Sequence, residues 1–480
     1  MAWFALVPIF ISIRGKAPTR AFREGLVTGL IFNFFAIYWV TNTMFKYGGL
    51  PYAAGMALLI ALSLYLALYF GAFAWSVAFV CGRTRVSPVL FAPLAWTALE
   101  LTRNYLLSGF PWNLLGYSQA AYLPVIQVSD ITGVYGVSAL VVLANAAISE
   151  IAKTLSKKDG YSFTQLKAPL AASLVVVAVL GYGYFRLSHM PKFDGALKVA
   201  VVQGNIEQAH KWDPDYRDEV FGTYSRLTLE AAALKPDLII WPETATPFYY
   251  QDDANRARLE GLARESGTYL MAGSPSFKEV GRDKYIDYNS AYLLSPDGGV
   301  AGRYDKMHLV PFGEYVPLGS LLPFVSKMVT SIGDFGRGTD YTVLQTPKGS
   351  FGTAICFEVI FPELVRMFPL KGAGFLTSIT NDAWFGRSAA PYQHFNMAIL
   401  RAVENRRALV RAANTGISGI IMPTGAVAQK TKIFTTTFIT GGIPVIKGLT
   451  FYTRYGDVFA YLCAISAVLL MLVAFKKRRV

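Results

Sequence analysis

The 480-residue sequence is poor in charged residues, which make up only 16% of it. Charged residues account for about a quarter of a typical soluble protein, so this composition excludes an ordinary soluble chain. Cysteine is also scarce, with three in total. Cys81 and Cys463 lie in or beside long apolar segments, which leaves no disulfide framework. The four histidines have no cysteine or second histidine at metal-ligand spacing, so no metal site is predicted.

The sequence has no glycine-rich phosphate loop followed by lysine and serine or threonine. Its net charge is +14, but the middle of the chain has neither a basic stripe nor an aromatic stacking motif of the kind that binds nucleic acid. A positive charge of this size is typical of the positive-inside bias of membrane proteins. We therefore predict no cofactor and no nucleic-acid partner.

Apolar residues fill roughly the first 190 positions and the last 25, whereas the middle of the chain has a globular composition. Segments of about 20 apolar residues predict transmembrane helices. Six such segments follow a shorter apolar segment at 2–13, so about seven spans are predicted: 25–45, 52–80, 87–107, 125–148, 169–187 and 457–475. The predicted domains are an N-terminal transmembrane domain at 1–190, a catalytic domain at 191–453, and a C-terminal helix with a basic tail at 454–480.

Basic residues concentrate in alternate loops between the predicted spans. The intervening loops, 46–51 and 108–124, contain a single lysine. By the positive-inside rule the basic loops are cytoplasmic, which predicts that the middle domain lies outside the cytoplasm. The basic positions are Arg14, Lys16, Arg20, Arg23, Arg83, Arg85, Lys153, Lys157, Lys158, Lys167, Lys476, Lys477, Arg478 and Arg479.

Cys356 is the one cysteine outside the long apolar segments. It ends an apolar, β-branched run at 351–356 and precedes a helix-like stretch at 362–367. A thiol between a strand and a helix is placed like a nucleophile, although a lone cysteine is more often a small buried hydrophobe. Three earlier strands alternate with helical stretches, which predicts βαβ units with functional groups at strand ends. The strands are 197–203, 236–241 and 269–273, and the helices are 218–234 and 254–265.

Two further residues are candidates for strand-end chemistry. Glu243 follows the second strand in Trp-Pro-Glu, and Lys306 lies in the segment 303–315, whose sequence is RYDKMHLVPFGEY. Taken alone, each is more typical of a solvated turn or a solvated face. His308 raises the alternative of a Cys–His pair with Cys356, because residues two apart on an extended segment share a face, but a structural role for His308 is favoured.

The combination of these motifs is specific. Trp-Pro-Glu, then a lysine in a segment ending Pro-Phe-Gly-Glu, then Ile-Cys-Phe-Glu resemble, in this order, the nitrilase (carbon–nitrogen hydrolase) superfamily. With apolar helices on both sides, nearly the whole chain is similar to the membrane-embedded acyltransferase branch of that superfamily. The resemblance implies a nitrilase-like αββα sandwich carried on about seven transmembrane helices. It also implies a catalytic triad of Glu243, Lys306 and Cys356.

The resemblance further implies an activity and a location. Such an enzyme would take a fatty acyl chain from a phospholipid onto Cys356 as a thioester. It would then pass the chain to the α-amine of the diacylglyceryl-modified N-terminal cysteine of an apolipoprotein. The expected location is the bacterial inner membrane, with the catalytic domain on the periplasmic side of the bilayer and with no metal or cofactor. The family has eight spans, so the seven predicted here would place Met1 outside.

Four supporting residues also come from the resemblance. Glu314 matches a glutamate that orients the lysine, and Glu358 matches a position near the nucleophile; a structural salt bridge is the alternative for both. Trp212 matches a tryptophan on a mobile loop near the site, where a membrane-surface anchor is the alternative. Phe357 stands where relatives often carry tyrosine, so a hydroxyl role is absent there.

Two other functions remain open from the sequence. A membrane-anchored amidase acting on small amides or nitriles would share the triad, and lipid-independent ammonia release would favour it. A transporter or binding protein with an inert outer domain would instead need ionisable or polar residues inside its spans. The few that are present, Asn33, Glu100 and Asn145, lie near span ends or within reach of neighbouring helices.

Overall fold

The structure is a computed structural model that describes residues 1–156, 163–189, 197–282, 284–315 and 335–477. Of the predicted basic loop residues, Lys157, Lys158, Arg478 and Arg479 lie outside these ranges. The chain divides into two compact units. The first comprises Met1–Thr41, Pro51–Met190 and Tyr455–Val480, and the second comprises Asn42–Leu50 and Pro191–Arg454.

Helices make up the first unit. Among the described residues, four helices are long and apolar enough to cross a membrane, or five if Pro18–Ala36 and Val40–Lys46 form one broken span. The four are Tyr52–Arg83, Ser129–Leu155, Leu166–Ser188 and Val458–Lys476. The helices are α1 Ala2–Ala5, α2 Val7–Ile13, α3 Pro18–Ala36, α4 Val40–Lys46 (which straddles the two units), α5 Tyr52–Arg83, α6 Pro88–Tyr105, α7 Leu123–Ile126, α8 Ser129–Leu155, α9 Phe163–Ser188 and α16 Val458–Lys476.

Two predicted spans differ from this set. The segment 87–107 is helical as α6, but it is not apolar enough to count as a span, because its last turns carry Glu100, Arg103 and Asn104. The opening segment 2–13 is broken into α1 and α2 and is too short to span. The prediction of several membrane helices before the middle domain and one after it is confirmed, with a count roughly compatible with seven.

Two of the polar residues predicted inside the spans, Asn145 and Glu100, have hydrogen-bond partners within the first unit. Asn145 accepts a hydrogen bond from the backbone N–H of Leu6 at 2.8 Å and donates to the carbonyl oxygen of Ala2, also at 2.8 Å. The Glu100 carboxylate accepts from the Trp96 indole N–H at 2.8 Å and from a backbone N–H at 2.7 Å. Hydrogen bonds of this kind offset part of the cost of burying polar groups in an apolar environment.

The second unit contains two six-stranded sheets. Their strand orders are β12-β1-β2-β3-β4-β5 and β11-β10-β9-β8-β7-β6. The strands are β1 Leu197–Gln203, β2 Leu238–Ile240, β3 Tyr269–Gly281, β4 Lys284–Leu294, β5 Val300–Asp305, β6 Val343–Thr346, β7 Gly349–Ile355, β8 Phe375–Thr380, β9 Leu409–Ala413, β10 Gly419–Ile421, β11 Val427–Lys430 and β12 Thr437–Ile443.

Both sheets follow the same plan. Three central strands are parallel, β1-β2-β3 in one sheet and β7-β8-β9 in the other, and antiparallel strands flank them on both sides. The four predicted strands are β1, β2, β3 and β7. Parallel strands are buried on both faces, and β1, β2, β7 and β8 are buried along nearly their whole length.

The two sheets pack face to face, and helices cover their outer faces. The Thr353 hydroxyl on β7 lies 3.5 Å from the Met271 sulfur on β3. Tyr224 and Leu259, on the helices after β1 and β2, pack with Ile239 of the first sheet. Four layers result, so the predicted αββα sandwich is confirmed. The helices are α10 Arg217–Ala232, α11 Asp253–Ser266, α12 Pro362–Val365, α13 Met367–Leu370, α14 Ala390–Asn405 and α15 Phe451–Tyr455.

Candidate active site

Three of the predicted residues come from three strand ends. Glu243 follows β2, Lys306 follows β5 directly, and Cys356 follows β7 directly. Parallel strands present functional groups at their carboxyl ends, and here β2 and β7 belong to opposite sheets. The Lys306 ammonium nitrogen lies 3.3 Å from Glu243 Oε1. Charges on both residues act on the Cys356 thiol, so the structure brings the three side chains into one buried site.

Glu243 is held as a carboxylate. Its Oε1 accepts a hydrogen bond from the Asn289 side-chain amide at 2.7 Å, and its Oε2 accepts from the backbone N–H of Asn381 at 2.8 Å. Burial acts to raise the pKa of Glu243, but Lys306, Lys211 and these hydrogen bonds outweigh it and lower the pKa below its ordinary value. An ionised, buried carboxylate is suited to accept a proton.

Lys306 is almost fully buried and lies between two carboxylates. Its ammonium group donates to Glu314 Oε1 at 2.8 Å, in addition to the contact with Glu243. Glu314 is fixed in turn by the backbone N–H of Val310, at 2.9 Å from its Oε2. Burial acts to lower the pKa of Lys306, but the charges of Glu314 and Glu243 raise it well above its usual range. Lys306 is therefore a fixed cation.

Cys356 occupies a strained position at the tip of the turn after β7. Its φ is +53°, in the left-handed region that non-glycine residues rarely adopt, and 8% of the residue is exposed. Burial raises the pKa of the thiol well above its usual range, and the negative charge of Glu243 adds to this effect, whereas Lys306 opposes it. The lowering of the thiol pKa by Lys306 is outweighed, so the resting thiol is protonated and needs a base.

Glu358 joins the ends of β5 and β7. Its Oε1 accepts from the backbone N–H groups of Met307 and His308 at 2.7 and 3.0 Å, and its Oε2 accepts from Ile355 N–H at 2.7 Å. The Tyr304 hydroxyl also donates to Oε1, at 2.9 Å. Burial raises the pKa of Glu358 to about 7. The carboxylate thus fixes the segment that carries Lys306 beside the turn that carries Cys356.

A buried histidine contacts the main chain of the nucleophile. His394 Nε2 lies 3.1 Å from the carbonyl oxygen of Cys356, and His394 Nδ1 lies 2.9 Å from a guanidinium nitrogen of Arg411. The Cys356 carbonyl can only accept, so the Nε2–H donates to it, and Nδ1 of a neutral ring accepts from Arg411. His394 Nδ1 also lies 3.1 Å from Asp382 Oδ1. Asp382 pairs with Arg411 at 3.0 Å. Burial and the charge of Arg411 lower the pKa of His394, which agrees with a neutral ring.

The structure also places the remaining predicted residues. Phe357 is buried after the nucleophile, and its ring centroid lies 5.9 Å from that of His308. The His308 ring packs on Phe361 with centroids 3.8 Å apart, which favours a structural role for His308. Trp212 is 47% exposed on the loop between β1 and α10. Among the described residues, no group of three or more histidine, cysteine or acidic side chains could hold a metal.

Sequence reasoning missed three groups in the site. Asn289 and the backbone N–H of Asn381 hold Glu243, and Lys211 donates to the Glu243 carbonyl oxygen at 3.1 Å. Asn381 follows β8 directly, and Lys211 lies in the loop between β1 and α10. Asn289 lies inside β4, which was not predicted.

Comparisons with known proteins show the family of the chain. The model of the carbon–nitrogen hydrolase family matches residues 198–445, and that of the apolipoprotein N-acyltransferase N-terminal domain matches residues 1–147. The chain is 46% identical to the apolipoprotein N-acyltransferase of Geobacter metallireducens, over 100% of this chain and 92% of the relative. The chain belongs to the apolipoprotein N-acyltransferase family.

A second relative and a solved structure are similar to the chain at lower identity. The apolipoprotein N-acyltransferase of Methylococcus capsulatus is 35% identical over 95% of this chain and 88% of its own length. Among solved structures, a nitrilase-superfamily amidase from Nesterenkonia sp. AN1 is 21% identical, with a TM-score of 0.42, over 57% of this chain and 98% of that chain. The predicted family and the prediction of a membrane-associated acyltransferase are confirmed, whereas the roles of the individual residues remain predictions.

Proposed function

We propose that this apolipoprotein N-acyltransferase moves a fatty acyl chain in two steps, through a thioester on Cys356. The donor is a phospholipid, and the acceptor is the α-amine of the diacylglyceryl-modified N-terminal cysteine of an apolipoprotein. The observation that carries the proposal is the buried Glu243–Lys306 ion pair, 3.3 Å long, whose charges act on the Cys356 thiol.

In the first step, Glu243 takes the thiol proton and the sulfur attacks the ester carbonyl carbon of the phospholipid. The carbonyl π electrons move onto oxygen, and Lys306 with the backbone N–H of Phe357 stabilises that oxyanion. When the intermediate collapses, the C–O bond to glycerol breaks and Glu243 returns its proton to the leaving alcohol. The products are a thioester on Cys356 and a lysophospholipid.

In the second step, the neutral α-amine of the acceptor attacks the thioester carbonyl carbon. As the C–N bond forms, Glu243 takes a proton from the amine nitrogen. The C–S bond then breaks, and the thiolate recovers that proton from Glu243. The product is an amide, and the enzyme returns to its starting state. A protonated resting thiol fits this sequence, because each step begins and ends with Glu243 ionised.

The supporting residues have separate parts in the proposal. Glu314 holds Lys306 in place at 2.8 Å, and Glu358 joins the two strand ends. Phe357 supplies a backbone donor and an apolar wall. Trp212, which is 47% exposed, would contact an acyl chain; a large aromatic surface suits that contact.

We further propose a bacterial inner-membrane location with the catalytic domain on the periplasmic side. The basic loops that carry Arg14, Arg83 and Lys153 support this orientation. The domain boundaries remain those proposed from the sequence, at 1–190, 191–453 and 454–480. Both substrates are anchored in the bilayer, so attachment to membrane helices raises their effective concentration at the site.

The proposal is tested with the purified full-length protein in lipid micelles. Labelled phospholipid is expected to leave a hydroxylamine-sensitive acyl group on the peptide containing Cys356, detected by mass spectrometry, and this group should disappear when an apolipoprotein acceptor is added. Cys356→Ala should abolish both the adduct and transfer. Cys463→Ala, at a cysteine in α16, is the matched control and should retain both.

Equal transfer by Cys356→Ala and wild type would refute the mechanism, and lipid-independent release of ammonia from small amides would favour the amidase alternative.

A further inference from the structure

The site contains a second buried lysine that the triad does not use. Lys211 is 2% exposed. Its ammonium group donates to the main-chain oxygen of Glu243 at 3.1 Å and to the Thr244 hydroxyl at 2.5 Å. Lysine is almost never fully buried unless it is paired, so a lysine at this depth beside Glu243 needs a physical explanation.

The loop between β1 and α10 delivers this lysine. Gln208 accepts a hydrogen bond from the Asn381 side chain at 2.6 Å, and the His210 ring stacks on Tyr216 with centroids 3.9 Å apart. The neighbour Trp212 is half-exposed on the same loop. Lys211 therefore lies inside because the loop is fixed on both sides of it.

Formal charges explain what Lys211 contributes. Glu243 and Glu314 carry two negative charges, and Lys306 supplies one positive charge in contact with both. Lys211 supplies the second, which makes this group neutral while the thiol is protonated. Without Lys211 the group would carry one net negative charge in a buried site. Transfer of the thiol proton to Glu243 would move that charge onto the sulfur without removing it.

We propose that Lys211 is a positioning residue of the acyltransferase site, which holds the Glu243 segment and balances the negative charge that lies on the Glu243 carboxylate at rest and on the Cys356 sulfur after proton transfer. The inference rests on the proposed roles of those two residues. The site would then use two lysines. Lys306 lies between the carboxylates of Glu243 and Glu314, and Lys211 donates to the main-chain oxygen of Glu243.

The surrounding charges agree with this role. The charged groups that act on Cys356 are Glu243, Lys306, Lys211 and Asp382. Asp382 is already neutralised by Arg411, at 3.0 Å. Burial lowers the pKa of Lys211 to about 8, against the opposing effects of Glu243 and Cys356, so the side chain is mostly a cation at neutral pH. Glu358 and His394 also border the turn. Burial raises the pKa of Glu358 to about 7, so it is only partly ionised at neutral pH. The lowered pKa of His394 keeps its ring neutral.

The test measures the reactivity of Cys356 toward iodoacetamide, with the full-length protein in detergent. Glu243 takes the thiol proton, the S–C bond forms and iodide leaves, so the rate depends on ionised Glu243. The rate is followed by mass spectrometry of the Cys356 peptide between about pH 2.5 and pH 8, a range that begins well below the ordinary glutamate pKa of about 4.3. The acid limb of this pH–rate profile is the fall in rate at low pH, where Glu243 becomes protonated. Losing the Lys211 charge raises the pKa of Glu243, so in Lys211→Met and Lys211→Gln the acid limb should move to higher pH by on the order of one unit.

A purely structural role would not move that limb. Lys211→Arg keeps the charge, so its acid limb should stay at the wild-type position even if its rate is lower. Lys348→Met is the matched control, because Lys348 has a side chain that is 61% exposed and pairs with Asp237; it should leave the profile unchanged. An unshifted limb in Lys211→Met and Lys211→Gln would overturn the inference, as would an Arg variant shifted as far as Met.

Two further outcomes are separable. If both neutral variants fail to fold, Thr244→Val removes one hydrogen-bond partner of Lys211 and should shift the acid limb in the same direction by a smaller amount; no shift would again overturn the inference. If Cys356→Ala retains acyl transfer, the proposed function fails, whatever the alkylation profile shows. An unshifted profile with transfer abolished by Cys356→Ala removes only the role of Lys211.

Discussion

Single side chains in this site are constrained mainly by burial. Glu243, Lys306, Glu358 and Lys211 are all at most 6% exposed, and each has a partner of fixed geometry. Buried ionisable groups that lose a partner cost several kcal/mol. Substitutions at these residues therefore change both the stability of the fold and the rate of acyl-enzyme formation. The dependence of each quantity on pH distinguishes the two effects.

Glu358→Gln should change how stability depends on pH. Burial raises the pKa of Glu358 from 4.5 to about 7 in the folded state, so its stabilising contribution is complete below about pH 4.5 and is lost as the pH rises through 7. Glutamine does not titrate. The stability advantage of wild type over the variant should shrink by about 3 kcal/mol between those limits. Thermal unfolding in detergent across pH measures this.

The control for that experiment is Glu279→Gln, because Glu279 is exposed near the end of β3. Its unfolding temperature should follow wild type at every pH. A constant difference between wild type and Glu358→Gln across the pH range would contradict the raised pKa.

His394 provides a second residue-scale prediction. His394→Gln can still place an N–H toward the Cys356 carbonyl, whereas His394→Leu leaves that carbonyl without this donor. An unsatisfied buried acceptor costs about 1–3 kcal/mol. We expect the Leu variant to lose acyl-enzyme formation more severely than the Gln variant, measured in a single turnover with labelled phospholipid. Equal losses would mean that the hydrogen bond to the turn is unimportant.

The limits of sequence reasoning are clearest at these residues. Glu243, Lys306 and Cys356 follow apolar strands and lie in specific motifs, so their positions could be predicted. Lys211 and Asn289 could not, because polar residues are usually exposed and their burial depends on segments distant in the chain. Asn289, for example, reaches Glu243 across 46 positions.

At the scale of elements, β3 packs tightly behind the loop that carries the base. Gly273 lies on β3, and a Cβ there would fall 2.3 Å from the Pro242 oxygen and 2.8 Å from the Glu243 Cα. Gly273→Ala must therefore move Glu243. We expect acyl-enzyme formation to fall by about tenfold or more, since small misplacements at an active site are costly, together with a loss of about 1–3 kcal/mol of stability from overpacking.

Gly261 offers the matched control for this substitution. It lies in α11, and a Cβ there has no neighbour within 4 Å. Gly261→Ala should keep full activity and gain up to about 1 kcal/mol of stability, because alanine favours the helix. Similar activity in the two alanine variants would mean that β3 does not position the base.

Strands were predicted unevenly, for a physical reason. β1, β2 and β7 are short, apolar and buried, which gives a direct signal. β4 runs from a solvent-exposed first half into a fully buried second half, so it has no single period. β10 and β11 are short and belong to the antiparallel edge of the second sheet, where pairing rather than sequence defines them.

For the whole molecule, the proposed orientation can be tested in intact cells. A protein with Cys81, Cys356 and Cys463 replaced by alanine receives one reporter cysteine, either Lys348→Cys or Arg20→Cys. Both side chains are well exposed, at 61% and 70%. A membrane-impermeant maleimide should label the first in intact cells and the second only after permeabilisation. The reverse pattern would contradict the orientation inferred from charge.

The catalytic groups are divided between the two sheets of the sandwich. Glu243 and Lys306 follow strands of the first sheet, and Cys356 follows a strand of the second. Neither the chain before β6 nor the chain from β6 onward contains a complete set, so fragments that separate between β5 and β6 would each be inert. Since β12 of the second fragment pairs with β1 of the first, acyl-thioester formation regained on co-expression would measure how completely the two fragments reassemble.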